Sequence, residues 1–263
     1  MLRIALARLQ QGHRTMAYPD GPPPPMPDRF RGRPVMDPTK CPADCRVCAD
    51  VCPTGAIQSG EALSIDLGRC LFCTDCVEAC PESSLRYGTD HRLSTRRRED
   101  LVVDPRHPEA AQLAGALEGK LMSLFGRSLR LRQVSAGGCN ACEADVNVLN
   151  TVGWDLSRFG IQVVASPRHA DGLLITGPVT KNMELALRKT WEAVPDPRIV
   201  IAVGACAISG GPYIDRPETL NGAGSVVPVD LFVPGCPPHP LTILDGLLRL
   251  LGRIEDGERP LAR

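Results

Sequence analysis

Between residues 41 and 80 the chain carries two runs of four cysteines, Cys41, Cys45, Cys48 and Cys52, then Cys70, Cys73, Cys76 and Cys80, and each run ends in Cys-Pro. Three of the four pairs (45/73, 48/76, 52/80) repeat at one constant interval, and the first (41/70) at an interval one position longer. The halves also close alike, Cys52-Pro53-Thr54-Gly55-Ala56-Ile57 against Cys80-Pro81-Glu82-Ser83-Ser84-Leu85. Thiols spaced this closely can converge on one metal centre, so metal ligation constrains this segment more than any apolar pattern does. Four further cysteines, Cys139, Cys142, Cys206 and Cys236, bring the total to twelve. With no export signal recognisable, a reducing cytosol argues for ligation over disulfides, and zinc competes wherever thiols come in such close pairs.

Composition narrows the partners. The 263 residues are 43% hydrophobic, enough for one ordinary domain and a small one. Lys and Arg balance Asp and Glu at 30 each, which excludes the basic excess of a nucleic-acid binder. No apolar run approaches the roughly 18 residues of a membrane helix. Met1 to Leu9 carry Arg3 and Arg8 and lack a small-residue cleavage pattern, so the chain is expected in the cytoplasm.

Four segments follow. Residues 1–40, with Pro22-Pro23-Pro24-Pro25 and Arg29-Phe30-Arg31-Gly32-Arg33-Pro34, read as an extended arm that gains order by lying on something else; a disordered tail has the same composition. Residues 41–90 form the duplicated block, with Ile57, Leu63, Ile65, Leu71, Phe72, Leu85 and Tyr87 as its small core. Residues 91–127 are a polar linker with a solvated run Arg96-Arg97-Arg98, then a helix over Pro108 to Phe125 carrying Leu113, Leu117, Leu121 and Leu124 on one stripe.

From 128 to 263 strands and helices alternate. Leu129 to Val134, Ile161 to Val164, Gly172 to Thr176, Ile199 to Val203 and Val229 to Val233 read as strands; Ala141 to Arg158, Asn182 to Ala193 and Pro240 to Arg253 read as helices. This alternation predicts an α/β fold, an open parallel, flavodoxin-like sheet, preceded by a small α+β cysteine-rich domain. Such sheets bind ligands beyond the carboxyl ends of their strands. Cys139, Cys206 and Cys236 each follow a strand there, and with Cys142 they supply the four thiolates of one 4Fe-4S cluster. Glycines beside them, Gly137, Gly138, Gly204, Gly210, Gly211 and Gly235, permit tight turns and backbone approach to cluster sulfurs. Buried free cysteines beside ordinary strand-end glycines are the plainer reading.

The block at 41–88 resembles a bacterial two-cluster ferredoxin. In that arrangement three thiolates of one run and the fourth of the other share a cubane. Cys70, Cys73 and Cys76 would then join Cys52, and Cys41, Cys45 and Cys48 would join Cys80. The Cys41-x3-Cys45 opening departs from the usual Cys-x2-Cys spacing and leaves the nuclearity of that cluster open.

Gly138-Cys139-Asn140-Ala141-Cys142-Glu143, Ser166-Pro167-Arg168-His169-Ala170-Asp171, Gly177-Pro178-Val179-Thr180, Gly204-Ala205-Cys206-Ala207-Ile208-Ser209-Gly210-Gly211 and Val233-Pro234-Gly235-Cys236-Pro237-Pro238 resemble the small subunit of membrane-bound group 4 NiFe-hydrogenases. They also resemble the homologous complex I subunit that carries the last cluster before quinone. That relative typically has adjacent cysteines where this chain has Cys139-x2-Cys142, which is similar to the hydrogenase side. The N-terminal arm and the cysteine block together resemble the separate electron-transfer subunit of formate hydrogenlyase-type complexes, so the chain looks like a fusion of two neighbouring subunits.

The resemblance implies three 4Fe-4S clusters and a non-catalytic electron-transfer subunit on the cytoplasmic side of the membrane. Implied partners are a large hydrogenase-like or complex I-like subunit, membrane-embedded subunits and a soluble electron donor or acceptor. A nickel-free relative that passes electrons to quinone and a zinc-stabilised interaction module are the alternatives. Glu143 is a proton-relay candidate or a helix-start acid favoured by the macrodipole. Arg168 and His169 could tune a cluster, contact a partner or lie on a surface loop. His13, His91, His107 and His239 are expected at the surface.

Overall fold

The structure, a computed structural model, describes residues 2–254 apart from 13, 43 and 60–62, so the expectation for His13 lies outside the described residues. Its centre is a five-stranded parallel sheet of β1 (Leu129–Ser135), β2 (Ile161–Val163), β3 (Gly172–Thr176), β4 (Ile199–Val203) and β5 (Leu231–Val233), in the order β2-β1-β3-β4-β5. This is the flavodoxin-like order, in which the chain reverses direction between β1 and β3. β3 and β4 are buried at every position, which is why their sequences are apolar runs broken only by Thr176 at the end of β3.

Alternation along the strands divides two cores. Leu174, Ile199, Ile201, Val203, Leu231 and Val233 face a cluster with the leucines of the last helix. Leu173, Ile175, Val200, Ala202 and Phe232 join a cluster that runs on into the cysteine-rich block through Ile65, Leu67, Leu101, Phe72 and Leu85. The parallel sheet and the block therefore share one continuous apolar core. The helices that alternate with these strands are α1 (Ala141–Val148), α2 (Lys181–Ala193), α3 (Ala205–Ser209) and α4 (Pro240–Leu250).

The duplication is visible in the block. The short helices Val47–Asp50 and Asp75–Glu78 stand one repeat apart, as do the starts of the strands Ile57–Gln58 and Leu85–Tyr87. Pro34–Met36 pairs with Leu85–Tyr87, while Ser64–Asp66 pairs with both Ile57–Gln58 and Val102–Val103.

Several elements differ from the sequence reading. Leu2–Gln11 is a helix rather than extended arm, as its Leu, Ala, Arg and Gln content favours. The chain that follows does lie on the sheet domain: Arg158 donates to the carbonyls of Met16 and Tyr18, both at 2.6 Å. The helix expected over Pro108 to Phe125 is only a 3-10 turn at Pro108–Ala110 and a helix at Gly119–Phe125. Between them the amides of Ala114 and Leu117 donate to the carbonyls of Ser94 and Leu250, which removes them from any helical ladder. The helix expected to reach Arg158 ends at Val148, and a 3-10 turn at Leu156–Phe159 follows Asp155 in left-handed backbone.

Residues 90–107 are also more than a solvated linker. Arg98 makes a two-pronged ion pair with Asp66 at 2.8 and 2.7 Å, and Thr95 exchanges backbone hydrogen bonds with Phe232 of β5. Asp90 accepts from Arg33 and Arg92. Burial pushes the Asp90 carboxyl up, but the Arg92 contacts and the Arg33 charge outweigh it and hold it below its ordinary value. The ionised form is thus favoured by folding, and the unfolded chain binds the proton more readily. Stability from Asp90 is present above the ordinary carboxylate range and is lost as pH falls through the depressed value. Asp90→Asn is expected to cost about 1–3 kcal/mol at neutral pH. Urea denaturation curves of the two proteins should converge as the pH is lowered into that acid range; a constant gap would show that the charge is not the cause.

His91 and His239 depart from the surface role. His91 is buried with its ring edge-on to Tyr18. His239 caps α4 by accepting from the Leu241 amide through Nδ1, and it packs against Phe30 and Trp154. His107 is exposed, with Glu109 3.5 Å away.

Candidate metal centre

Strand order carries Cys139 and Cys142, Cys206, and Cys236 to one edge. β1 ends at Ser135 and leads through Gly137-Gly138 to Asn140, whose left-handed backbone starts α1 with Cys142 in its first turn. β4 leads through Gly204 to α3 and Cys206, and β5 leads through Pro234-Gly235 to Cys236. Gly204 does not tolerate a side chain: its φ is +91°, and a Cβ there would stand 2.5 Å from the Cys142 sulfur. A Cβ on Gly211 would stand 2.9 Å from the Cys206 sulfur. The backbone has therefore given up side-chain volume where the thiols need room.

The four thiols lie close enough to act on one another electrostatically. Burial, then Cys206, Cys236, Glu143 and Cys139, push the Cys142 thiol far up. Burial, then Cys236 and Cys139, push Cys206 up to about 12. Burial, Cys139 and then Cys73 of the cysteine-rich block raise Cys236. Four thiolates could share this edge only around a cationic centre, so the donor set fits one that binds soft thiolate ligands. Cys139 and Cys236 are exposed, which brings this centre to the protein surface.

In the block, Cys41, Cys45, Cys48 and Cys80 line one small cavity with Met36 and Ser84. Burial, then Cys76, Cys41 and Cys45, raise the Cys48 thiol to about 11. Cys70 rises to about 12 through burial, against hydrogen bonds from Tyr87 and the Phe72 amide, with Cys76 and Cys52 as its neighbours. Burial raises Cys76, whose neighbours are Cys73 and Cys52. The structure thus brings Cys41, Cys45, Cys48 and Cys80 to one cavity, Cys52 and Cys73 beside Cys76, and Cys139, Cys206 and Cys236 beside Cys142, while Cys48 also neighbours Cys76 and Cys236 also neighbours Cys73. Among the described residues no three His, Cys, Asp or Glu side chains converge on a single ion.

Glu143 is buried on α1 and accepts from the hydroxyls of Ser135 at 2.6 Å and Thr176 at 2.7 Å. Burial pushes its carboxyl up, but the two hydroxyls outweigh it and hold the group below its ordinary value. Arg168 and His169 lie exposed on a 3-10 turn at Pro167–His169. Two thiol neighbours have no signal in cysteine spacing: the hydroxyl of Tyr87 lies 3.4 Å from the Cys70 sulfur, and that of Ser84 lies 3.2 Å from the Cys80 sulfur.

Similarity to known proteins runs over this edge. Residues 139–250 match the family described as NADH ubiquinone oxidoreductase, 20 Kd subunit. A probable membrane-bound hydrogenase subunit mbhJ of Pyrococcus furiosus is 42% identical over 144 residues, 54% of this chain and 86% of that protein. The chain belongs to this family. Formate hydrogenlyase subunit 7 of Escherichia coli is 42% identical over 140 residues, 53% of this chain and 55% of that protein. An NADH-quinone oxidoreductase subunit of Carboxydothermus hydrogenoformans is 41% identical over 120 residues, 45% of this chain and 72% of that protein. The 20 Kd subunit match runs from Cys139 to the last residue of α4, so it covers all four thiols of the third group. Among the described residues no helix is long and apolar enough to cross a membrane.

Proposed function

We propose that this chain is an iron–sulfur electron-transfer subunit of a hydrogenase-like complex of the formate hydrogenlyase type. The observation that supports the reading is the proximity of thiols across three groups of four. Cys76 of the second quartet is near enough to Cys48 of the first to raise it, and Cys73 of the second is near enough to raise Cys236 of the third. Three 4Fe-4S clusters, one on each quartet, would supply one-electron carriers in a row.

This chain's own residues then do the positioning. With clusters bound, the Cys48–Cys76 and Cys73–Cys236 approaches would place neighbouring carriers next to each other. The exposed Cys139 and Cys236 mark the face toward a large catalytic subunit, and the ferredoxin-like quartet with Cys41 and Cys45 marks the side for a soluble donor or acceptor. Glu143, held ionised by Ser135 and Thr176 next to Cys142, places a fixed negative charge there, and as a proton relay it would have to exchange through those hydroxyls. The hydrogenase and formate hydrogenlyase relatives, together with the Cys139-x2-Cys142 spacer, support the hydrogenase side. The membrane-bound hydrogenase relative also supports a peripheral place beside membrane-embedded subunits, which this reading sets on the cytoplasmic face.

Anaerobic metal analysis of the chain with its copurifying large subunit tests the reading. About 12 iron atoms per chain, matching acid-labile sulfide, are expected for three cubanes. Nickel in the large subunit is expected as well. Iron without nickel, with quinone reduction in membranes, would move the terminus to the complex I-like relative; zinc in a colourless protein would sink electron transfer altogether.

A further inference from the structure

The two quartets of the duplicated block are related by the sequence repeat, yet their hydrogen-bonding surroundings are not alike. The backbone part is shared: Ala56 N–H donates to the Cys52 sulfur at 3.2 Å, and its repeat partner Ser84 donates its N–H to the Cys80 sulfur at 3.3 Å. The side-chain part is not shared. Ser84 adds its hydroxyl, 3.2 Å from the Cys80 sulfur, where the first half has the methyl of Ala56. Tyr87 places its hydroxyl 3.4 Å from the Cys70 sulfur and 3.9 Å from the Cys76 sulfur. The repeat partner of Tyr87 is Ser59, whose buried Oγ makes no hydrogen bond among the described residues.

The positions of both hydroxyls are fixed by the fold. Ser84 is buried beside the strand Leu85–Tyr87, and its carbonyl accepts from the Asp37 amide. The Tyr87 backbone pairs with Pro34, and its ring tilts against Phe72 at 5.6 Å between centroids. A thiolate bound to iron has no proton to give, so in both contacts the hydroxyl is the donor. A donor aimed at a cluster sulfur favours the reduced, more negative form and raises the reduction potential.

We propose that Tyr87 and Ser84 are the two side chains that set the potentials of the N-terminal pair independently: Tyr87 for the cluster on Cys52, Cys70, Cys73 and Cys76, and Ser84 for the cluster on Cys41, Cys45, Cys48 and Cys80. The inference rests on the three-cluster reading above. It goes beyond that reading by naming what tunes the relay. Thr54, the other hydroxyl near a ligand, is already committed as a donor to the Arg69 carbonyl at 2.8 Å and stands 3.9 Å from the Cys52 sulfur.

The test is an electron paramagnetic resonance-monitored redox titration of the full chain carrying Tyr87→Phe, Ser84→Ala or both. Tyr87→Phe keeps the ring and its packing on Phe72; Ser84→Ala reproduces the residue found in the other half. Each single variant is expected to make one cluster about tenfold harder to reduce, which is about 59 mV lower for a one-electron couple. The two variants are expected to move different midpoints, and the double variant to move both. Unchanged midpoints at an unchanged iron content of about 12 per chain overturn the proposal and leave the relay standing. The same midpoint moving in both single variants overturns it too. Absence of iron from the unmodified chain would instead remove the three-cluster reading on which it rests.

Discussion

Replacing Cys206 with serine is expected to lower the iron content from about 12 to about 8 atoms per chain and to remove one of three low-potential resonance signals. Reduction of the two remaining clusters by a small dye should persist, while transfer to the large subunit should fall to background. The reasoning begins with α3. Its buried side chains are Ala205, Ala207, Ile208 and Ser209, so the fold is held by the residues around Cys206 and not by the thiol itself. Ser209 Oγ donates to the carbonyl of Gly68 at 2.8 Å, and a Cβ on Gly68 would meet Ile208 at 2.7 Å. That contact fastens the loop before Cys70 onto the helix that carries Cys206. The exchange of sulfur for oxygen would replace a soft donor by a hard one at a centre whose other proposed donors are thiols. Loss of all three signals together would mean that the quartets do not assemble separately, and an unaltered spectrum would remove Cys206 from the ligand set.

What could be read from the sequence was whatever short-range periodicity determines. The apolar runs Gly172 to Thr176 and Ile199 to Val203 are central strands because central parallel strands are covered on both faces, and they stand where the runs placed them. The leucines at 113, 117, 121 and 124 carried a helical period as well, yet the chain there is not one helix. The amides of Ala114 and Leu117 go to Ser94 and Leu250, partners on either side of the segment that no local pattern announces. The arginines at 96–98 looked solvated because Asp66, which binds Arg98, lies far upstream in the duplicated block. The same limit applies at the candidate site. Strand ends and glycines pointed to Cys139, Cys142, Cys206 and Cys236, whereas the approach of Cys73 to Cys236 and the hydroxyl of Tyr87 are products of packing between distant segments. Tyr87 in particular is indistinguishable from an ordinary core aromatic until its ring is placed.

The largest stability effect is expected from Asp245→Ala in α4. Every residue of this helix from Pro240 to Leu250 is buried, as its nearly all-round apolar sequence requires, and Asp245 and Arg249 are the charged exceptions. They pair at 2.9 Å with side-chain exposures of 0% and 3%. Tyr18 from the N-terminal arm donates to Asp245 Oδ1 at 2.8 Å, and burial together with the Asp245 carboxylate pushes the phenol far above its ordinary value, so it stays a donor. Removing the carboxylate takes the Asp245 ion pair from a buried guanidinium and the acceptor from a buried phenol. One-sided loss of a buried pair costs about 3–5 kcal/mol, a large part of the stability of an ordinary domain. Tyr18→Phe removes only the neutral partner and should cost about 1 kcal/mol. Urea midpoints measured at neutral pH should therefore fall in the order unmodified, Tyr18→Phe, Asp245→Ala, and equal losses for the two variants would show that the phenol, not the ion pair, is what α4 depends on. Because Tyr18 ties the arm to α4 and Ser94 lies against Gly246 of the same helix, Asp245→Ala should also speed proteolytic cutting of the arm before global unfolding.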